Sequence, residues 1–181
     1  MFLHGLDRLI LQKRGCPEVP YETERDFEHW LMLLPADCRE HIWVRGNPDL
    51  VSGLDVRGCV TDADTLMGPV PERWKSIDCV AFCRSLDQLP RLPEWVSGAL
   101  VGPVFQPQSV FEKVDSLGTS LLAEKMRESK VPVIAFGGID HDNLDEIGKL
   151  PLQGVSVLGG VWNYADPVNA FIKMQRALAA L

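Results

Sequence analysis

The sequence predicts an α/β protein built on a parallel sheet. Short apolar segments recur along the chain, and segments with helical spacing of apolar residues lie between them, as expected for alternating strands and helices. Several short segments are apolar throughout instead of alternating, which is typical of strands covered on both faces. The chain has 181 residues, of which 46% are hydrophobic, so we expect one core and a single domain over 1–181.

Seven segments have the composition of strands. Each is short and rich in β-branched or other apolar residues, and the third is the weakest. In chain order they are RLILQ (8–12), HIWVR (41–45), LDVRG (54–58), IDCVAF (77–82), GALVG (98–102), VPVIAF (131–136) and GVSVL (154–158).

Four segments have the apolar spacing of amphipathic helices. They are 22–34, 117–129, 141–150 and 166–181. Asp166 followed by Pro167 is a typical helix start, and we expect Asp140 to cap the helix that follows it. The proline-containing stretches 61–75 and 88–95 predict short turns instead of long helices.

Composition and charge argue against several classes of protein. The formal charge of −7 disfavours sequence-independent nucleic-acid binding, which needs a basic surface, but allows a small anion in a locally basic pocket. No stretch reaches the roughly 20 apolar residues that span a bilayer, and the first residues lack a basic leader. The five cysteines include no CxxC pair, so a disulfide or zinc framework is not expected. We expect a soluble, cytoplasmic protein.

Two pairs of glycines end the last two predicted strands. Gly137 and Gly138 follow VPVIAF, and Gly159 and Gly160 follow GVSVL. Glycine lets a ligand approach the backbone N–H groups, and the loops after the last two strands of a βα barrel commonly bind phosphate. The pairs therefore predict a phosphate site, while the alternative is that each pair only permits a tight turn.

Three segments resemble the thiamine phosphate synthase and TenI family. They are VPVIAFGGIDHDN (131–143), GVSVLGGVW followed by ADP (154–167), and SGALVGPVF (97–105), and the likeness extends from LILQKRG (9–15) to the C-terminal helix. The resemblance implies a (βα) barrel of the TIM type. It also implies a synthase that joins a pyrimidine pyrophosphate to a thiazole phosphate with Mg²⁺, or a TenI-type tautomerase acting on the thiazole phosphate.

The first βα unit of this family has no counterpart here. Family members begin with a strand and a helix before the segment that matches LILQKRG, so the resemblance implies a barrel with seven recognisable strands in place of eight. Exposed strand edges are seldom left bare. A rudimentary element at MFLHG, a second copy in a homodimer that covers the gap, and a misassigned start are the alternatives.

The resemblance assigns ligand-binding residues at both substrates. The phosphate of the thiazole is expected at the backbone of Gly137, Gly138, Leu158, Gly159 and Gly160. The second substrate is expected at Gln12, Lys13 and Arg14, where Gln12 replaces the arginine of the synthases, and at Ser109, the one hydroxyl kept where they have Thr-x-Thr-Lys.

The metal site of the family is incomplete in this sequence. Where synthases have Asn-Asp after a strand, the register gives Arg45 and Gly46, and Asp62 is the one metal carboxylate that matches. The resemblance implies Mg²⁺ at Asp62, because one carboxylate and substrate phosphates can hold this ion. The missing carboxylate at Gly46 argues against it.

Three arginines take positions where the family has other side chains. Arg45, Arg57 and Arg84 each follow a strand-like segment, so we expect them to converge at the end of the sheet that carries the site. Such a pocket would bind an anion without a metal. The alternative is that they are surface arginines paired with acidic residues.

The sequence assigns no catalytic residue. None of the four histidines falls on a family histidine position, and no serine or cysteine has the context of an activated nucleophile. The functions that remain are a synthase, a TenI-like tautomerase, and a catalytically degenerate relative that binds a small phosphorylated ligand as a sensor or accessory subunit.

Overall fold

The computed structural model describes residues 1–12, 24–108 and 113–180. By their internal contacts these residues form two compact units. We call Phe2–Phe82 with Pro93–Ser97 the N-terminal unit, and Cys83–Leu92 with Gly98–Leu181 and Met1 the C-terminal unit.

Seven strands lie in one sheet within the described part of the chain, and their order in the sheet is their order in the sequence. They are β1 (Leu9–Leu11), β2 (Ile42–Arg45), β3 (Gly58–Asp62), β4 (Asp78–Cys83), β5 (Gly98–Val101), β6 (Val133–Phe136) and β7 (Gly154–Ser156). The pairs within each unit are parallel, so the carboxyl ends of neighbouring strands lie at the same edge.

The helices are short except at the chain's C-terminal end. They are α1 (Glu24–Met32), α2 (Asp49–Leu54), α3 (Ala63–Met67), α4 (Thr119–Met126), α5 (Leu144–Ile147), α6 (Gly159–Trp162) and α7 (Pro167–Leu178), with short 3₁₀ segments such as Glu72–Ser76 and Leu86–Arg91. None of the helices in the described ranges is long and apolar enough to cross a bilayer.

Each unit buries its own set of apolar side chains. In the N-terminal unit, α1 packs on the strands through a cluster of Phe27, Leu31, Ile42, Val44, Leu54, Cys59 and Cys79. In the C-terminal unit the buried side chains come from β5, β6 and the helices around them, and include Val101, Leu122, Val133, Leu144, Ile147, Phe171 and Met174. The uniformly buried β5 agrees with the apolar run that predicted it.

Six strands match predicted segments, with β4 running one residue beyond 77–82 to Cys83, whereas the third prediction was wrong. The segment 54–58 is not a strand, because α2 continues to Leu54 and Asp55 follows it in the left-handed region with φ 51°. The third strand is instead Gly58–Asp62, which places Arg57 before a strand.

The helix starts were predicted with mixed success. Asp166 caps α7 by accepting a hydrogen bond from the Asn169 backbone N–H, with proline at the first helical position, as predicted. Asp140 does not cap α5, because the helix begins only at Leu144 after Asn143. The Asp140 carboxylate instead accepts the backbone N–H of Asp142 inside the preceding turn.

Candidate functional site

In the C-terminal unit, the segment after β5 packs against the segment after β6. The Val104 N–H donates to the Phe136 carbonyl at 2.9 Å, and the Phe105 N–H donates to the Gly137 carbonyl at 3.1 Å. The Gly102–Pro103 peptide that leads into this contact is cis. The GP and GG segments of the sequence therefore form one backbone surface at the carboxyl ends of their strands.

Close packing requires glycine at the first pair. Gly137 and Gly138 have φ values of 90° and 65°, which residues other than glycine rarely adopt. A Cβ at Gly138 would also lie 2.5 Å from the Gln106 carbonyl oxygen. The turn and the neighbouring backbone thus explain the missing side chains without any ligand.

The second glycine pair adjoins the first. A Cβ at Gly160 would lie 2.4 Å from the Ile139 carbonyl oxygen and 3.1 Å from the Asp140 Cα. Gly159 and Gly160 begin α6, a single helical turn that follows the last strand. Both glycine pairs therefore belong to one backbone surface in this unit.

Three backbone N–H groups of this surface have no acceptor among the described residues. They belong to Gly138, Gly159 and Gly160. The first N–H groups of a helix have no partner inside the helix, and such donors bind phosphate oxygens well. The Leu158 side chain just before them is 57% exposed.

A buried acid between the glycine pairs is a residue that the sequence did not single out for the site. Asp140 is 7% exposed, and its Oδ1 accepts the Asp142 N–H at 3.0 Å, while its Oδ2 accepts the side-chain amide of Gln108. A Cβ at Gly159 would lie 3.2 Å from the Gln108 Cβ, so Gln108 spans the two segments. The sequence signal that could have identified Asp140 is its position directly after the GGI segment.

The neighbouring side chains form a small polar cluster. His141 Nδ1 lies 3.2 Å from the Tyr164 hydroxyl, and ligand atoms of Asp140, His141 and Asp142 lie within 4.8 Å of one another. His141 and Asp142 are exposed, and exposed acids commonly cluster without a metal. We assign no metal to this cluster.

In the N-terminal unit, Arg45 at the end of β2 and Asp62 at the end of β3 form an ion pair. Arg45 Nη2 donates to Asp62 Oδ1 at 2.7 Å, and Nη1 donates to the Val60 carbonyl at 2.9 Å. The guanidinium carbon lies 4.6 Å from the centroid of the Phe82 ring. The cation is thus held on several sides by its own unit.

These residues do not fit the Mg²⁺ ion that the resemblance implies. The carboxylate of Asp62 already binds a cation, and Gly46 supplies no side chain. A metal close enough to share the carboxylate would lie beside the guanidinium, and like charges repel at that distance. No chemical step in this chain is therefore assigned to a metal at Asp62.

The predicted convergence of three arginines was wrong for Arg57. Because β3 begins at Gly58, which pairs with Asp78 at the start of β4, Arg57 lies at the opposite end of β3 from Asp62. Its Nε lies 3.5 Å from Asp78 Oδ2, which matches the alternative of a surface arginine paired with an acid.

Arg84 directly follows β4, as predicted, and its backbone N–H donates to the Gln88 side-chain oxygen at 2.8 Å. Gln12 follows β1 and is exposed. The other predicted ligands of the second substrate, Lys13, Arg14 and Ser109, lie outside the described residues.

Three of the described cysteines, Cys59, Cys79 and Cys83, are buried. Cys59 and Cys79 face each other across β3 and β4 with their sulfurs 3.3 Å apart, fully buried. The hydrogen bond with Cys59, together with burial, raises the pKa of Cys79 well above its usual range, so this thiol stays protonated. Cys83 is also buried, and neither position has the exposure of a reactive thiol.

Known proteins of one kind resemble this chain in sequence. A thiamine-phosphate synthase from Anaeromyxobacter dehalogenans (strain 2CP-C) is 34% identical over 152 residues, which cover 82% of this chain and 68% of that protein. A thiamine-phosphate synthase from Desulfitobacterium hafniense (strain Y51) is 32% identical over 69 residues, or 38% of this chain and 33% of that protein. No protein-family model matches the chain.

Solved structures support the fold. The thiamine phosphate pyrophosphorylase from Pyrococcus furiosus matches with a TM-score of 0.76 at 20% identity, over 98% of this chain and 85% of that one. The enzyme of the same name from Bacteroides thetaiotaomicron matches with a TM-score of 0.71 at 24% identity, over 99% and 87%. These likenesses and the parallel strands in sequence order confirm the predicted α/β fold of the TIM-barrel type. The sequence identity to the Anaeromyxobacter protein shows the family as well as the fold, and the chain belongs to the thiamine-phosphate synthase family.

Proposed function

We propose that this chain is a thiamine-biosynthesis protein that binds thiazole phosphate or thiamine phosphate at the glycine surface of its C-terminal unit. The observation that carries the proposal is that the backbone N–H groups of Gly138, Gly159 and Gly160 meet no acceptor among the residues described. Oriented backbone donors of this kind stabilise a phosphate in the absence of basic side chains.

The surroundings of these donors suit a phosphate attached to a ring. Asp140 makes hydrogen bonds to Gln108 and to the Asp142 backbone, so its carboxylate oxygens are directed into the loop. Leu158 is exposed immediately before Gly159 and offers apolar surface to the thiazole ring. The phosphate would thus bind the backbone of the glycine surface, and the thiazole ring would lie beside Leu158.

A calorimetric titration tests this proposal. Thiazole phosphate and thiamine phosphate are titrated into the protein, with the unphosphorylated thiazole alcohol as the matched control. We expect the phosphate to improve the affinity at least tenfold, or about 1.4 kcal/mol, because the donors bind its oxygens. Equal affinities for the thiazole with and without its phosphate would contradict the assignment of the glycine surface.

Synthase turnover is the second candidate, and the 34% identity to a thiamine-phosphate synthase favours it. Joining the pyrimidine pyrophosphate to the thiazole requires cations that stabilise the departing pyrophosphate. Among the predicted ligands of that substrate in the described ranges, Arg45 is already paired with Asp62 and Gln12 carries no charge.

An assay of thiamine phosphate formation separates the two candidates. The protein receives the pyrimidine pyrophosphate and thiazole phosphate, once with Mg²⁺ and once with EDTA. If the site is catalytically degenerate, we expect the protein to bind thiazole phosphate but to form no thiamine phosphate above background. Product that requires Mg²⁺ and disappears in Asp62→Ala would instead establish a working synthase.

A further inference from the structure

Arg45 and Asp62 form an ion pair at the edge of the sheet where the resemblance implies a metal. The Arg45 side chain is 16% exposed. Its guanidinium donates to the Asp62 carboxylate and the Val60 carbonyl and stacks on Phe82. A planar guanidinium fixed by directed hydrogen bonds and by an aromatic face has little freedom to leave.

The backbone of Gly46 is also engaged. The Gly46 N–H donates to the Val60 carbonyl at 3.0 Å, and the Gly46 carbonyl accepts the Thr61 hydroxyl at 2.6 Å. Magnesium needs near-octahedral oxygen coordination and binds through carboxylates, substrate phosphates and water. Gly46 has no side chain to offer, and its carbonyl already accepts a hydrogen bond, so this position adds no ligand to Asp62 in a metal site.

We propose that the Arg45 guanidinium takes the place of the divalent cation at Asp62, so that the N-terminal unit carries a built-in cation and binds no metal there. Arg45 balances the charge of the Asp62 carboxylate as a metal would. Any anionic group that binds at this edge meets a guanidinium instead of a hydrated ion. This inference does not depend on the ligand proposed for the C-terminal unit.

Mn²⁺ is the probe, because it is paramagnetic and binds the oxygen ligands that hold Mg²⁺. Free and bound Mn²⁺ are counted by electron paramagnetic resonance in wild type and in Asp62→Asn. The two proteins are expected to bind Mn²⁺ with the same stoichiometry and affinity, even where other acids such as the Asp140–Asp142 cluster bind it weakly. A site present in wild type and lost in Asp62→Asn would overturn the proposal.

Variants of Arg45 test whether the arginine is what excludes the metal. Arg45→Asp places two carboxylates at the ends of adjacent strands, and it is expected to bind one more Mn²⁺ than wild type and to lose that ion when Asp62→Asn is added. Arg45→Asn, which removes the charge and keeps an oxygen ligand, is measured alongside it in case the acidic variant does not fold. Circular dichroism checks that each variant is folded. A folded variant that binds Mn²⁺ no more tightly than wild type would contradict the proposal.

Discussion

Single residues in the C-terminal unit are fixed by backbone contacts that the sequence does not reveal. Gly160 lies so close to Ile139 that no side chain fits between them. At the start of β7, Gly154 has no heavy atom within 4 Å of its would-be Cβ in the described part of the chain. The two glycines look alike in the sequence but have different structural roles.

Replacing Gly160 by alanine should destabilise the protein by about 1–3 kcal/mol, because the new methyl group forces the Ile139 backbone to move. Gly154→Ala is the matched control, and it should leave the free energy of unfolding unchanged or raise it by roughly 0.5 kcal/mol, since alanine restricts the unfolded chain. Urea unfolding of the two variants measures both values. Equal stabilities would show that Gly160 is not packed as described.

The sequence predicted that the two glycine pairs follow the last two strands, and it left open whether a tight turn or a phosphate requires them. Gly137 and Gly138 end β6 as expected, yet their positive φ values and the nearby backbone after β5 require glycine without any ligand. Contacts between segments more than 30 residues apart cannot be read from local patterns. The same limit hid Asp140, whose partner Gln108 lies on another loop.

At the scale of elements, one carboxylate joins α2 to the 3₁₀ segment Glu72–Ser76. Asp49 accepts hydrogen bonds from the Arg73 guanidinium at 2.9 and 3.0 Å and from the Trp74 indole N–H at 2.8 Å. Trp74 is buried, so its N–H depends on this acceptor. The hydrogen bonds from Arg73 and Trp74 lower the pKa of Asp49 below its usual value.

Asp49→Ala should reduce the free energy of unfolding by about 1–3 kcal/mol at neutral pH, because a buried indole N–H loses its acceptor. Since the pKa of Asp49 is lowered in the folded state, its stabilisation is present above the unfolded-state pKa and disappears as the pH falls through the folded-state value. The difference between wild type and variant should therefore shrink in acid, as measured by urea unfolding across a pH series.

The control for this prediction is Glu72→Ala in the same segment. Glu72 pairs with Lys75 on the surface and its side chain is 85% exposed, so its loss should cost less than about 1 kcal/mol. A similar loss for both variants, or a difference that persists unchanged in acid, would contradict the role given to Asp49.

Strand patterns were more reliable than helix boundaries at this scale. Buried strands such as β5 are continuous apolar runs, which the sequence displays directly. The segment 54–58 misled because Leu54 is buried at the end of a helix and not in a strand. This four-residue shift of the strand matters, because beginning β3 at Gly58 moves Arg57 to the other end of the strand.

Over the whole molecule, the two units differ in what survives of a thiamine-phosphate synthase site. In the C-terminal unit the proposed phosphate site is a backbone surface, with N–H groups of Gly138, Gly159 and Gly160 that have no acceptor among the described residues. In the N-terminal unit the Arg45–Asp62 ion pair lies where the resemblance implies Mg²⁺. The sequence indicated both trends through its matches and mismatches to the family, but the ion pair itself required the register of β2 on β3.

The glycine surface is the central claim, and a pair of charge variants tests it most directly. Gly159→Asp adds a carboxylate at the first position of α6, where the nearest atoms are the side chains of Asn163 and Gln108 and where an acid suits the helix. Gly154→Asp adds the same charge at the other end of β7, in open space.

The measurement is the affinity of both variants for thiazole phosphate by calorimetry, with thermal unfolding as the check on folding. The proposal predicts that Gly154→Asp binds within twofold of wild type, while Gly159→Asp binds at least tenfold more weakly because its carboxylate repels the phosphate. Equal affinities of the two folded variants would contradict the proposal and place the phosphate elsewhere.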